Sequence, residues 1–331
     1  MKAYIIERYK EDVRLAEMPE PEVGERDVLV QIHAASVNPL DSKIRDGEFK
    51  LLLPYRFPLI LGHDLAGVVV RTGSRVRRFK PGDEVYARPN RDQIGAFAEL
   101  ISIDEEDVAM KPKELTMEEA ASIPLIGLTA WQALIEKANL KQGQKVLIHA
   151  GSGGVGTFAI QLAKHLGATV ATTTSTANLD WVKRLGADIV IDYKKDDFEQ
   201  TLRDYDVVLN SLSGDTLEKS LRVLKPGGKL LSISGPPDPD FAKEIGLPWL
   251  LRPVMSLLSY RIQREAKRHN VAYSFLFMKA SGDQLREISS LIDSGAIRPV
   301  VDRVFSFDAT REAMAYVETG RVKGKVVVKV R

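Results

Sequence analysis

Cysteine is absent from all 331 residues. That absence excludes disulfides, thiolate nucleophiles and cysteine-ligated zinc. Charge of one sign is also missing: 47 Lys and Arg stand against 45 Asp and Glu, a net of +2. Nothing in that balance points to a polyanionic partner, so no nucleic acid is expected. No uninterrupted apolar run approaches the length of a membrane span, and no membrane partner is expected. The opening Met1-Lys2-Ala3-Tyr4-Ile5-Ile6 reads as a short strand and not as a signal peptide, which makes a cytoplasmic location the expectation. What is present is ordinary for a globular chain, 44% hydrophobic and 28% charged residues, at a length that suits about two domains.

Against that plain background one stretch stands out, Val146-Leu147-Ile148-His149-Ala150-Gly151-Ser152-Gly153-Gly154-Val155-Gly156. An apolar strand runs into glycines at 151, 153 and 156, the G-x-G-x-x-G spacing, and a helical pattern with an apolar face follows from Thr157 to Leu166. The three glycines serve different needs. One makes a tight turn, one lets backbone approach a pyrophosphate, and one lets helix pack on strand. Phosphates would then lie on N–H groups at the positive end of the helix. Strand, turn and helix in this order predict a dinucleotide site.

From Lys2 to about Lys111 the segments are short, rich in Val and Ile, and punctuated by Gly, Pro and Asp, the pattern of a β-rich domain. Near Thr116 the pattern changes. Thr116-Met117-Glu118-Glu119 predicts a capping box. Strands from Lys145, Thr169, Asp188, Tyr205 and Lys229 then alternate with helical stretches, which predicts a parallel, doubly wound sheet and an α/β fold. The expected division is a first catalytic part over 1–122, a dinucleotide-binding domain over 123–271, and a tail over 272–331 that rejoins the first domain and leaves the cofactor cleft between the two. The apolar segment Leu247 to Leu258, followed by Arg261, Arg264, Lys267 and Arg268, is read as a helical cover over the substrate cleft. A subunit contact is a reasonable alternative, and two prolines argue against a long amphipathic helix on an acidic membrane.

Seven motifs in order resemble the zinc-independent quinone oxidoreductase branch of the medium-chain dehydrogenase/reductase superfamily, which includes ζ-crystallin-like proteins and alkenal/one reductases. They are Ser36-Val37-Asn38-Pro39-Leu40-Asp41, Leu61-Gly62-His63-Asp64-Leu65-Ala66-Gly67-Val68-Val69, Phe79-Lys80-Pro81-Gly82-Asp83-Glu84-Val85, Gly95-Ala96-Phe97-Ala98-Glu99, Gly127-Leu128-Thr129-Ala130-Trp131, the glycine loop, and Gly324-Lys325-Val326-Val327. The resemblance implies a GroES-like catalytic domain split by a Rossmann domain, and a homodimer formed through the latter. Where zinc members carry their first catalytic cysteine this chain has Asn38, the second cysteine position falls near Leu125, and the structural-zinc lobe is missing at Arg91 to Gly95. His63 and Asp64 alone offer too few donors for zinc, so no metal is expected.

The second strand of the alternating region ends in Ala171-Thr172-Thr173-Thr174-Ser175-Thr176, with no acid before Asp180. An acid there would serve the ribose of NAD, whereas hydroxyls suit a 2′-phosphate. Tyr193 matches a tyrosine that relatives place against that phosphate, and Lys194 and Lys195 follow it. The expected cofactor is therefore NADPH, bound by Gly151, Ser152, Gly153, Gly154, Val155, Gly156, Thr174, Ser175 and Tyr193. Leu212, Ile233, Ser234 and Gly235, at later strand ends, are expected to flank the nicotinamide. With neither metal nor cysteine, the chemistry rests on hydride transfer and on polarisation of the acceptor. Asn38 is the first candidate donor and Thr129 the second, Asp41 is expected to hold the Asn38 turn, and Tyr55, His63 and Phe277 are expected to line the substrate site. The function predicted is NADPH-dependent, metal-independent reduction of quinones or of the C=C bond of α,β-unsaturated aldehydes and ketones. Two alternatives stay open: an NADPH-binding sensor or crystallin-like protein with little turnover, and a metal-dependent alcohol dehydrogenase using His63 and Asp64.

Overall fold

Where the sequence changes from short β-rich segments to longer alternating ones, the architecture changes with it. The computed structural model describes residues 1–50, 53–244, 246 and 252–331. It divides into two compact units, Met1–Leu128 with Lys279–Arg331, and Thr129–Met278. Both crossings fall a few residues beyond the expected 122/123 and 271/272.

The first unit contains β1 (Lys2–Ile6), β2 (Arg14–Glu17), β3 (Asp27–Val37), β4 (Leu59–Ile60), β5 (Asp64–Thr72), β6 (Glu84–Ala87), β7 (Leu100–Asp104), β8 (Val108–Met110) and, from the returning tail, β15 (Val301–Ser306) and β16 (Lys325–Lys329). The larger sheet runs β15-β16-β3-β5-β6-β8, with β7 also on β3, and the smaller runs β2-β1-β4. The hub of the larger sheet is β3, hydrogen-bonded to β5, β7 and β16. Accordingly, its residues Val28, Val30, Ile32, Ala35 and Val37 are all buried in one apolar cluster with Leu65, Phe97 and Val326. Helices α1 (Pro39–Arg45), α2 (Met117–Ala121), α10 (Gly282–Asp293) and α11 (Thr310–Glu318) complete this unit. The predicted capping box starts α2: Glu119 N–H donates to Thr116 Oγ1 at 3.2 Å, and Thr116 N–H to Glu119 Oε2 at 3.0 Å.

Register, more than any single contact, gathers polar groups in this unit. Ser36 on β3 pairs with Asp64 on β5. Val37 pairs with Val326 on β16, which brings Lys325 beside Asn38. A slip of one residue in either ladder would turn these side chains to the opposite face.

The second unit holds β9 (Lys145–Ile148), β10 (Thr169–Thr174), β11 (Ile189–Asp192), β12 (Tyr205–Asn210), β13 (Leu224–Ser232) and β14 (Ala272–Phe275), with α4 (Gly154–His165), α5 (Leu179–Arg184), α6 (Phe198–Thr201), α7 (Thr216–Val223), α8 (Pro239–Glu244) and α9 (Arg252–Arg268). The chain enters it within α3 (Pro124–Trp131). All six strands are parallel in the order β11-β10-β9-β12-β13-β14. That is the 3-2-1-4-5-6 arrangement of a dinucleotide-binding sheet, with its reversal between β9 and β12. One expectation changes here. The strand starting near Tyr273, read as part of the returning tail, is the sixth strand of this sheet, with Tyr273 paired to Leu230. Tyr273 and Phe275 are both buried, so the strand belongs where there is core on its flank.

Of the segment read as a helical cover, 247–251 lies outside the described residues. Beyond it, α9 buries Met255, Ser259, Ile262 and Ala266 along one stripe, while Leu257 is 77% exposed. Among the described residues no helix is long and apolar enough to cross a membrane.

Candidate active site

The glycine loop leaves β9 through Ala150, which sits at φ +52°, a region that costs a residue with a Cβ. The turn is held from both sides. Gly153 N–H donates to Ala150 O and Gly151 N–H to Thr173 O, each at 2.9 Å. The space for a Cβ is absent where the motif has its first and third glycines. At Gly151 it would lie 2.2 Å from Thr172 Oγ1, and at Gly156 2.3 Å from Ala150 O. Gly153 is the N-cap of α4, a helix of 12 residues, so the first-turn N–H groups at Gly154, Val155 and Gly156 are available to an anion. Ser152 lies in the same loop.

Beneath this turn lies a histidine whose tautomer can be deduced. Ser220 Oγ donates to Thr216 O at 2.6 Å, so it must accept from His149 Nε2 at 3.0 Å. Nδ1 is then the lone-pair nitrogen and accepts from Thr173 Oγ1 at 3.1 Å, and that oxygen in turn accepts from Ala150 N–H at 3.2 Å. Burial holds the imidazole pKa down to about 3, so it is neutral and the chain of bonds keeps one direction. The sequence reading did not single out His149. Its signal was a polar residue at the end of an otherwise apolar strand.

At the end of β10 stands a group of polar side chains. Thr174 Oγ1 is buried and without a hydrogen-bond partner, as is Asn178 Oδ1. Asn178 Nδ2 donates to Ser175 Oγ at 3.2 Å. Tyr193 N–H donates to Thr174 O at 3.1 Å, and the residue is 60% exposed. A buried hydroxyl lacking a partner is costly and fits a ligand oxygen. With the glycine cradle it makes these residues suitable for a dinucleotide. Across the reversal, Asn210 ties two strand ends together: Nδ2 donates to Leu212 O at 2.8 Å, and Ile233 N–H donates to Asn210 O at 3.0 Å. Ser234 Oγ also donates to Leu212 O, and Gly235 N–H to Ser232 Oγ. Leu212, Ile233, Ser234 and Gly235 thus form one braced rim at the carboxyl ends of β12 and β13.

In the first unit the polar residues form a closed knot. Asp64 Oδ2 accepts from Ser36 Oγ and Asn38 Nδ2, each at 2.8 Å, and from Lys325 Nζ at 3.2 Å. Its Oδ1 accepts from Leu125 N–H at 2.7 Å. Lys325 Nζ also donates to Asn38 Oδ1 at 2.5 Å. Asp41 accepts from Asn38 N–H at 2.7 Å and lies 2.6 Å from His63 Nδ1, the turn-holding role its spacing implied. The side chains of Ser36, Asn38, Asp41, His63, Asp64 and Lys325 are all buried. The expectation that Asn38 offers a free donor does not match this geometry, because its two amide hydrogens point to Asp64 and to Ser36 O. Lys325 belongs to this knot, although the sequence had marked it only by its motif.

The remaining expected residues are divided between the two units. Thr129 is buried in the part of α3 that belongs to the second unit. Phe277 also belongs to that unit, its ring 5.6 Å from that of Phe241. Tyr55 is in the first unit, with its hydroxyl buried and without a partner. Arg88 of the same unit, unmarked in the sequence, is buried too. Among the described residues no group of three His, Asp or Glu side chains could hold a metal ion.

A GroES-like unit joined to a dinucleotide-binding sheet defines a two-unit dehydrogenase or reductase. Residues 24–113 match the family model of the alcohol dehydrogenase GroES-like domain, and residues 185–328 that of a zinc-binding dehydrogenase. The chain is 39% identical to the 2-methylene-furan-3-one reductase of Solanum lycopersicum over 93% of its own length and 73% of that protein. It is 36% identical to the chloroplastic NADPH-dependent alkenal/one oxidoreductase of Arabidopsis thaliana, with the same coverage. The solved quinone oxidoreductase of Coxiella burnetii superposes with a TM-score of 0.87 at 33% identity, over 100% of this chain and 99% of that one. The chain belongs to the medium-chain dehydrogenase/reductase superfamily, in its quinone oxidoreductase and alkenal/one reductase branch, and is a nicotinamide-dependent oxidoreductase.

Proposed function

We propose that this protein uses NADPH, without a metal, to reduce the C=C bond of α,β-unsaturated aldehydes and ketones or the ring of quinones. One observation carries the reading. The carboxylate that would have to serve a metal, Asp64, already accepts four protein donors. When bound, NADPH supplies the hydride. The Thr174 hydroxyl, Ser175 and Tyr193 favour its 2′-phosphate, and the N–H groups after Gly153 receive the pyrophosphate. The rim at Leu212, Ile233, Ser234 and Gly235 orients the nicotinamide, and Thr129 polarises the acceptor carbonyl. Asn38, fully engaged inside the protein, acts as a positioning residue that fixes the start of α1. The named relatives support this substrate class, and a homodimer in the cytoplasm is the setting proposed with it.

The test is NADPH oxidation with chelator present, using an enone, a small enal, a 1,4-quinone and a saturated aldehyde, with product analysis. Conversion of enone or enal to the saturated carbonyl is the expected outcome. Reaction of the quinone alone narrows the function to quinone reduction. Loss of activity on chelation restores the metal reading, and tight NADPH binding without any turnover restores the sensor reading.

A further inference from the structure

Between Ala150 and Gly156 the only residue at positive φ is Ala150, at +52°, and it carries a Cβ. That conformation costs energy and persists where surrounding bonds hold it. Three side chains in line hold this one. Ala150 N–H donates to Thr173 Oγ1, Thr173 Oγ1 to His149 Nδ1, and His149 Nε2 to Ser220 Oγ. Ser220 belongs to α7 and stands 71 positions beyond His149. The loop is thereby tied to a helix that supplies none of its residues.

His149, Thr173 and Ser220 are each at most 3% exposed. Apolar side chains of the same size would fill that space with no polar atom to satisfy, so packing alone does not account for the line. Phe198 meets the imidazole edge-on, with ring centroids 4.7 Å apart, and fixes its plane. Direction is what the line conveys. Without the Ser220 oxygen, Nε2–H would lack an acceptor and the neutral imidazole would carry its proton on Nδ1 instead. Nδ1–H would then compete with Ala150 N–H for Thr173 Oγ1, and the Thr173 hydroxyl hydrogen would lose its acceptor. A change on α7 thus reaches the loop as a weaker hold on Ala150. The carbonyl of Ala150 accepts from Gly153 N–H at 2.9 Å and lies where a Cβ on Gly156 would stand. Any turning of residue 150 therefore displaces the N–H groups of Gly154, Val155 and Gly156.

We infer that His149 and Ser220 are positioning residues for the dinucleotide, keeping Ala150 left-handed so that the N–H groups of the loop stay aligned on the pyrophosphate. The inference rests on the cofactor reading above, and its test separates the two. Kd for NADPH and for NADH is measured by fluorescence titration of the whole protein. Both cofactors carry the pyrophosphate, so Ser220→Ala weakens both by about fivefold, the scale of one net hydrogen bond. Thr173→Val weakens both at least as much, whereas Thr173→Ser, which keeps the hydroxyl, stays within about twofold of the wild type. Adding Ala150→Gly to Ser220→Ala recovers most of the loss, because glycine takes positive φ without strain. Unaltered Kd in Ser220→Ala overturns the inference, as does a loss confined to NADPH or one that Ala150→Gly leaves in place. If the wild type binds neither nucleotide, the cofactor reading fails, and amide hydrogen exchange of the free protein then decides. Faster exchange over 150–156 in Ser220→Ala, with α5 unchanged, sustains the hold on the loop, and equal exchange overturns it. Should Thr173→Val not fold, Ser220→Ala with and without Ala150→Gly decides.

Discussion

Lys325, close to the end of the chain, donates to Asp64, the first residue of β5, at 3.2 Å, with both side chains at most 4% exposed. A buried pair is a poor source of net stability, but removing one partner strands the other charge in the core. Lys325→Met is expected to destabilise the protein by about 3–5 kcal/mol in urea unfolding. Adding Asp64→Asn should restore much of that loss, since no net charge then stays buried. Additive losses in the double variant would show that the pair is not coupled.

Acid should weaken the second unit through His149. Its folded pKa, about 3, lies below the ordinary 6.5, so between those values the unfolded chain binds the extra proton. The contribution is complete above about pH 6.5 and is lost as pH falls toward 3, at about 1.4 kcal/mol per pH unit. Unfolding free energies from pH 7 to 4.5 should fall more steeply for the wild type than for His149→Gln. Parallel curves would mean that another group carries the proton.

Gly156→Ala should cost cofactor before it costs fold. The added carbon would meet Ala150 O at 2.3 Å, backbone that can yield only by moving the phosphate loop. We expect NADPH affinity to fall by at least about tenfold, the scale set by losing good charge-assisted bonds, while the far-ultraviolet dichroism is unchanged. Unaltered affinity in fluorescence titration would separate this loop from the cofactor.

Thr174→Val keeps shape and removes the orphaned hydroxyl. The variant is expected to weaken NADPH about five- to tenfold and NADH little, matching one lost hydrogen bond, and Tyr193→Phe should show the same selectivity. Equal losses for both cofactors would move the 2′-phosphate elsewhere.

The second unit was the more legible half, because glycine spacing and strand–helix alternation are local signals, and each has one structural solution. The Thr116 capping box was legible for the same reason. The knot around Asp64 was not, since Ser36, Asn38 and Lys325 meet it only through the register of two antiparallel ladders, separated by up to 261 positions. A sequence shows that Asn38 is polar but not that β16 will occupy its amide. Arg88 escaped for a related reason: one arginine among 47 basic residues carries no mark of burial. The segment at Tyr273 fell within the expected tail, and its sheet is decided by the flank it covers.

The placement of β16 has a consequence for synthesis. Its residues are made after the whole of 129–278, so a growing chain can finish the parallel sheet while β3 still lacks a neighbour and Asp64 its counter-charge. Domains tend to close as units in the order they emerge. Here the unit begun first is completed last, and the final strand brings the lysine that neutralises its core.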